Sequence, residues 1–251
     1  MIKHFSHFFR TALLYLALCI DAFGQVPTAE FLLKESDRAR GTIADGVKWE
    51  SIVTTIDSEG EKKVNYIVKV KGVDALAEAT DPPRNKGEIL LFNDRNLWFF
   101  RPGLKKPLAI SPRQKLMGQA ANGDIASTNY YRDYLGTLIG EESIQGKPCY
   151  KLELKAKNKN VTYDGIRYWI TKDSHWGVKA EFLTLSGETF KTATMEYQNK
   201  QKDKQGKELI FISKMTIIDA LNPKNQTIIT YDSISLESLP DKIFNINNIS
   251  R

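Results

Sequence analysis

Residues 89–100 constrain the fold more than any other stretch. Two apolar runs, 89–92 and 97–100, flank the polar link Asn93-Asp94-Arg95-Asn96. A link of that length and composition between strand-forming runs predicts a β-hairpin. The second run ends at Arg101-Pro102-Gly103, where Pro102 has no N–H for a ladder and Gly103 permits a sharp turn. Side chains alternate across a strand, so Leu97 and Phe99 face one way and Trp98 and Phe100 the other. Both faces are apolar, and both need a cover. An antiparallel sheet commonly packs one face on the core and leaves the other to water. The second cover is either a helical layer or a ligand.

The rest of the chain repeats the period-two pattern. Strands are expected over 48–53 and 63–71, where Val64, Tyr66, Val68 and Val70 share a face, with a turn at Ser58-Glu59-Gly60. Residues 74–80 read as loosely structured, and Asp81-Pro82-Pro83 as a stiff connector. Further strands are expected over 137–144, 149–156, 167–171, 177–185, 189–197, 209–219 and 226–236, joined by short Gly-, Asn- and Asp-containing turns. Helices are few. Thr28 can cap one through Arg40, closed by Gly41, either a surface helix on a sheet edge or a lid. Ser111-Pro112 opens a second over 112–119, and Asp124 a third over 124–134. Leu239-Pro240 turns the tail back and sets Phe244 on the sheet. A meander of about ten strands with few helices argues for one strongly curved antiparallel sheet, whose concave face must be filled.

Residues 1–24 read as a cleavable signal peptide. Lys3 and Arg10 give a positive start, residues 11–20 an apolar segment too short to span a bilayer, and Ala22-Phe23-Gly24 a cleavage site before Gln25. Residues 25–251 then form a single secreted domain, expected to be periplasmic. Without Lys3, Arg10 and Asp21 the net charge falls from +6 to +5, spread along the chain. No basic helix or aromatic platform suggests nucleic acid as a partner. Cys149 is left as the one mature cysteine, expected to be a buried packing thiol.

Catalytic signals are sparse. His175 is the one mature histidine, too few for a zinc site, and it sits in a turn. No Gly-x-Ser-x-Gly elbow or glycine-rich phosphate loop occurs. Glu141 and Glu142 are adjacent on a strand and so point apart. Neither enzymatic activity nor a cofactor is expected. What remains is surplus apolar surface, a binding signal. The candidates for an acyl-chain cavity are Leu90, Phe92, Trp98, Phe99, Phe100, Met117, Tyr168, Trp169 and Phe182, each of which serves equally as plain core.

The order Leu97-Trp98-Phe99-Phe100-x-Pro102, Ser111, Gly118, Asp124, then Gly146-x-x-x-Tyr150-x-Leu152-x-Leu154, Tyr168-Trp169-Ile170 and Leu239-Pro240-x-x-x-Phe244 resembles the outer-membrane lipoprotein-sorting proteins of the LolA-like superfamily. The resemblance spans about 87–244. It implies a mainly β (α+β) incomplete, half-open β-barrel with short helices covering a concave hydrophobic cavity that takes lipoprotein acyl chains or other lipid. It also implies an arginine that holds the helical lid shut, for which Arg101 and Arg113 are the candidates, with Asp124 as a further lid anchor. The expectation is a monomeric, non-enzymatic periplasmic carrier serving the outer membrane, with an inner-membrane exporter as a possible partner. The alternative is an accessory module of an envelope lipid-export complex.

Overall fold

The computed structural model describes residues 26–249, apart from 95, 127 and 128. The expected signal peptide lies outside the described residues. The described chain is mostly strand, with α1 (Ala29–Ala39), α2 (Asn122–Ala126) and α3 (Tyr130–Asp133) as its helices. Thirteen strands form one open antiparallel sheet in the order β6-β5-β4-β3-β2-β1-β15-β14-β13-β12-β11-β10-β9. In chain order these are β1 (Val47–Asp57), β2 (Gly60–Lys71), β3 (Asp74–Asp81), β4 (Ile89–Asn93), β5 (Asn96–Phe100) and β6 (Leu108–Ile110). After a small ribbon, β7 (Lys115–Met117) with β8 (Ala120–Ala121), come β9 (Tyr134–Ile144), β10 (Lys147–Ala156), β11 (Gly165–Thr171), β12 (Gly177–Leu183), β13 (Thr189–Lys202), β14 (Glu208–Asp219) and β15 (Gln226–Leu236). The first and last strands pair in the middle, from Val47 opposite Leu236 to Ile56 opposite Gln226. The chain therefore walks from the centre to the β6 edge, crosses to the β9 edge, and walks back. The result is a half-barrel.

The alternation read from the sequence sets the two faces. In β2, Val64, Tyr66, Val68 and Val70 are buried on the concave side. The hairpin of 89–100 forms as expected, Leu90 facing Phe99 and Leu91 facing Trp98. Its second apolar face is covered by the chain's own tail. Trp98, Leu91 and Leu76 pack with Leu239 and Phe244, and Asn93 Nδ2 donates to the Phe244 carbonyl at 2.7 Å. The tail thus turns back as Leu239-Pro240 suggests, through the 3-10 turn Asp241–Phe244.

The helix expected over 124–134 is instead α2 and α3, with Asp124 inside the first and Tyr134 opening β9. Two further expectations are corrected. Residues 74–81 are a regular strand, paired with β2 on one side and β4 on the other. Alanine has low strand propensity, which hides β3 in the sequence, but two flanking ladders override it. Residues 112–119 are not helical. Ser111 Oγ accepts from Arg113 N at 3.2 Å and Gln114 Oε1 from Ser111 N at 2.9 Å, closing a local turn in place of a helix cap. Gly118 then turns the ribbon at φ +53°. A Cβ there would sit 2.4 Å from Thr227 Oγ1, so only glycine lets the ribbon tip seat on the floor of the half-barrel.

The tail contact gives a direct check. Phe244 is 2 % exposed, and Phe244→Ala should lower unfolding free energy by about 3 kcal/mol in urea titration. A loss under about 1 kcal/mol would show that the tail does not hold this face.

Candidate functional site

The segment 111–133 carries the chain across the concave side and determines what stays empty there. Asp124, at the start of α2, is 5 % exposed and accepts from Ala121 N at 2.8 Å and from the Tyr163 hydroxyl at 2.7 Å. It closes the first turn of α2 and ties it to the β10–β11 loop, and burial raises its pKa above the usual carboxylate range. Arg113 makes a bidentate pair with Asp164 of the same loop, both contacts at 2.8 Å. That pairing lowers the Asp164 pKa. α3 is fixed at its N-terminal end by Asp37 of α1, whose Oδ2 accepts from Tyr131 N at 2.8 Å. Arg132 donates to the Asp94 carbonyl at 2.9 Å, so α3 reaches the β4–β5 turn.

Beneath this crossing lies a buried polar and aromatic cluster. Arg40, at the C-terminal end of α1, is 8 % exposed and stands 5.0 Å over the Tyr130 ring. Tyr130 meets Tyr134 and Tyr168 edge to face, and Ser36 Oγ lies 2.7 Å from the Tyr168 hydroxyl. Burial raises the Asp37 pKa to about 7, partly offset by the Tyr131 and Tyr130 amides and the Arg40 charge.

The principal hollow lies at the end of the half-barrel where β2 begins and β5 ends. It is a cavity of about 550 Å³. Val64, Tyr66, Leu90 and Phe99 form its walls, with Ile110, Leu116 and Met117 on the side of β6 and the ribbon. Lys62, Arg84, Glu88 and Lys115 stand around it.

Of the residues singled out in the sequence, Leu90, Phe99 and Met117 line this cavity. Phe92, Tyr168 and Phe182 face the same side but belong to the filled core; Phe182 stacks on Tyr163 at 3.9 Å. Trp98 and Phe100 lie on the opposite face of β5 from Phe99. Trp169 belongs to a separate cluster with Cys149 and Val178, beneath the amines of Lys179 and Lys151 at 4.2 and 4.9 Å. Its Nε1 donates to Glu142 Oε2 at 3.0 Å. Cys149 is buried, as expected. Arg113 sits at the rim with Asp164 and Arg101 is exposed; the arginine buried under the crossing is Arg40. The sequence shows Arg40 only as the last residue before Gly41, where it reads as an ordinary helix end. No cluster of three or more metal-ligating side chains occurs among the described residues.

A LolA superfamily protein from Nitrosomonas europaea superposes on this fold with a TM-score of 0.78 at 31% identity, covering 89% of this chain and all of that one. The chain belongs to the LolA superfamily. A family model described as "Uncharacterized protein" matches residues 71–251. Two solved structures at 18% identity share the LolA fold. One is described as an outer membrane lipoprotein-sorting protein domain from Vibrio parahaemolyticus, with a TM-score of 0.72 over 88% of this chain and 98% of that one. The other is a DUF1329 family protein from Desulfovibrio piger, at 0.73 over 88% and 97%. No curated protein matches the chain.

The Asp37 joint has a signed pH dependence. Its pKa is about 7 in the fold and ~3.9 when unfolded, so the fold binds the extra proton. Stability from this group is complete below about pH 4 and is lost as pH rises to about 7. Asp37→Asn keeps the acceptor for Tyr131 N and removes the titration. Its stability relative to wild type should rise by one to a few kcal/mol between pH 4 and 7 and level off above, read by urea unfolding across pH. A pH-independent difference would contradict the assignment.

Proposed function

We propose that the mature chain, residues 25–251, is a periplasmic carrier that holds acyl chains of lipoproteins or other lipid in the cavity beside the ribbon and delivers them toward the outer membrane. The observation that carries this reading is the cavity itself. A half-barrel of this size could have filled its concave side with its own side chains, and at the Arg40 end it does. At the opposite end about 550 Å³ stays open, with apolar walls at Val64, Tyr66, Leu90, Phe99, Leu116 and Met117 and polar residues filling the rest of the lining. An acyl chain moved from water into such walls gains about 0.8 kcal/mol per methylene, so a sixteen-carbon chain is worth on the order of 10 kcal/mol before ordering costs. Nothing in this transfer needs a catalytic group, and the carrier is non-enzymatic.

The crossing segment supplies the cover. Its firm anchors, Asp124 to Tyr163 and Arg113 to Asp164, lie toward the β10–β11 loop. Leu116 and Met117 border the cavity as part of a short ribbon. Loading requires the ribbon to lift while those anchors stay. The protein works as a monomer, receiving its cargo at the inner membrane, where an exporter is the expected donor. The signal-peptide pattern expected over residues 1–24 supports that compartment. The alternative, an accessory module of an export complex, would leave the cavity without a ligand.

A fluorescent fatty-acid probe should bind the purified mature protein. Met117→Glu puts a carboxylate at the cavity wall and should weaken binding at least about tenfold, roughly 1.4 kcal/mol, with an unchanged circular dichroism spectrum. A wild-type protein that binds no acyl probe would sink the carrier reading and favour the accessory module.

A further inference from the structure

We infer that the cavity accepts one acyl chain bearing an anionic head, and that Arg84 and Lys115, with Lys62 beside them, select that head. The inference rests on the carrier reading and adds the ligand class to it. The first argument is size. A methylene fills roughly the ~30 Å³ of a liquid water molecule, so one sixteen-carbon chain needs ~480 Å³ and three need about 1,400 Å³. The cavity offers about 550 Å³. One chain fits within it, whereas a diacyl lipid would leave roughly two fifths of its hydrocarbon outside and a triacyl lipid roughly three fifths. The walls leave little slack on the sheet side. Val64, Tyr66 and Leu90 are at most 7 % exposed and fixed in paired strands.

The second argument is charge. Lys62, Arg84 and Lys115 stand at the edge of an apolar hollow with Glu88 as the one carboxylate among its lining residues. Glu88 accepts from the neutral Asn85 Nδ2 at 2.9 Å and keeps its charge, so the lining sets three cations against one carboxylate. Lys62 is paired with Glu59. Arg84 donates only to the neutral Asn85 Oδ1, at 3.3 Å, and neither Arg84 nor Lys115 has a carboxylate partner among the described residues. Arg84 acts on Lys62 as a like charge, and Lys115 does the same to Lys191. Two exposed cations with no ion-pair partner among the described residues, held beside like charges where apolar walls meet a polar rim, suit the two ends of an amphiphile with a negative head. An arginine fork suits either a carboxylate or a phosphate. The shared chemistry is therefore a single-chain anionic amphiphile, with a free fatty acid and a monoacyl phospholipid as the two sources.

Calorimetric titration of the delipidated mature protein tests this with palmitate, sixteen-carbon lysophosphatidic acid, the uncharged monopalmitoylglycerol, and a triacylated lipopeptide. The expected result is one equivalent of palmitate or lysophosphatidic acid, bound at least about tenfold tighter than monopalmitoylglycerol. Whichever of the two binds tighter identifies the head as carboxylate or phosphate. The preference should shrink as salt rises from ~0.05 to ~0.5 M. Arg84→Glu with Lys115→Glu should abolish it while leaving monopalmitoylglycerol binding unchanged; both residues are exposed, and Lys115→Gln alone should halve the effect if the double variant misfolds. Equal affinity for charged and uncharged chains, two or more equivalents, or tighter binding of the triacyl lipopeptide would each overturn the inference while leaving the carrier reading intact. Failure of every acyl ligand to bind would overturn both.

Discussion

The pairing of β1 with β15 in the middle of the sheet governs the rest of this structure. Because the first and last strands meet there, the chain has to reach both edges and must cross between them once. The crossing cannot run over the convex face without leaving the concave one bare. It runs through the mouth as residues 111–133, and everything functional follows from how completely that short segment fills the opening. Its length is set by the gap between β6 and β9, and its contacts by the alternation of the strands below.

Filling is uneven for a simple reason. β3 presents only Ala75, Ala77 and Ala79 to the concave side, which brings α2 close to the sheet there. In the other half α3 sets Tyr130 against Tyr134 of β9 and Tyr168 of β11. The two-stranded ribbon is too thin to plug its own end. Its tip seats on the floor, where Gly118 lies against Thr55 and Thr227, Gln119 N donates to Thr227 Oγ1 at 2.8 Å and Lys191 Nζ donates to the Gln119 carbonyl at 2.7 Å. Between that contact and the β4–β5 hairpin the walls are large and the depth is unclaimed. The hollow therefore arises from a mismatch between a wide sheet and a slim connector, and not from small residues lining it.

Much of this was legible from the residues. The alternation in β2, the 89–100 hairpin, the long meander and the returning tail all follow from local pattern, because period-two burial and turn chemistry are local properties. The two apolar faces of β5 correctly announced two covers. Which cover lay on which side was not legible, since the tail that hides Trp98 arrives from more than a hundred residues away. The same limit applies to Trp169, whose shield is the aliphatic stems of Lys151 and Lys179 on neighbouring strands. The ribbon was hidden by a local cap signal: Ser111-Pro112 looks like a helix start until Gly118 and the Thr227 hydroxyl claim the backbone. Lys62, Arg84 and Lys115 come from three separate elements, and only the folded sheet brings them to one rim.

The buried joint at Asp37 and Arg40 is a costly way to hold the crossing. Burying a carboxylate and a guanidinium costs several kcal/mol each before any attraction is counted. Asp37 recovers part of that through the Tyr131 amide, while its Oδ1 finds no hydrogen-bond partner. Arg40 recovers part through the face of Tyr130. A hydrocarbon plug of the same shape would hold the crossing more firmly, because breaking it would expose apolar surface with nothing gained. Separating a polar joint instead returns its polar groups to water, and their hydration offsets part of the packing and hydrogen bonding given up.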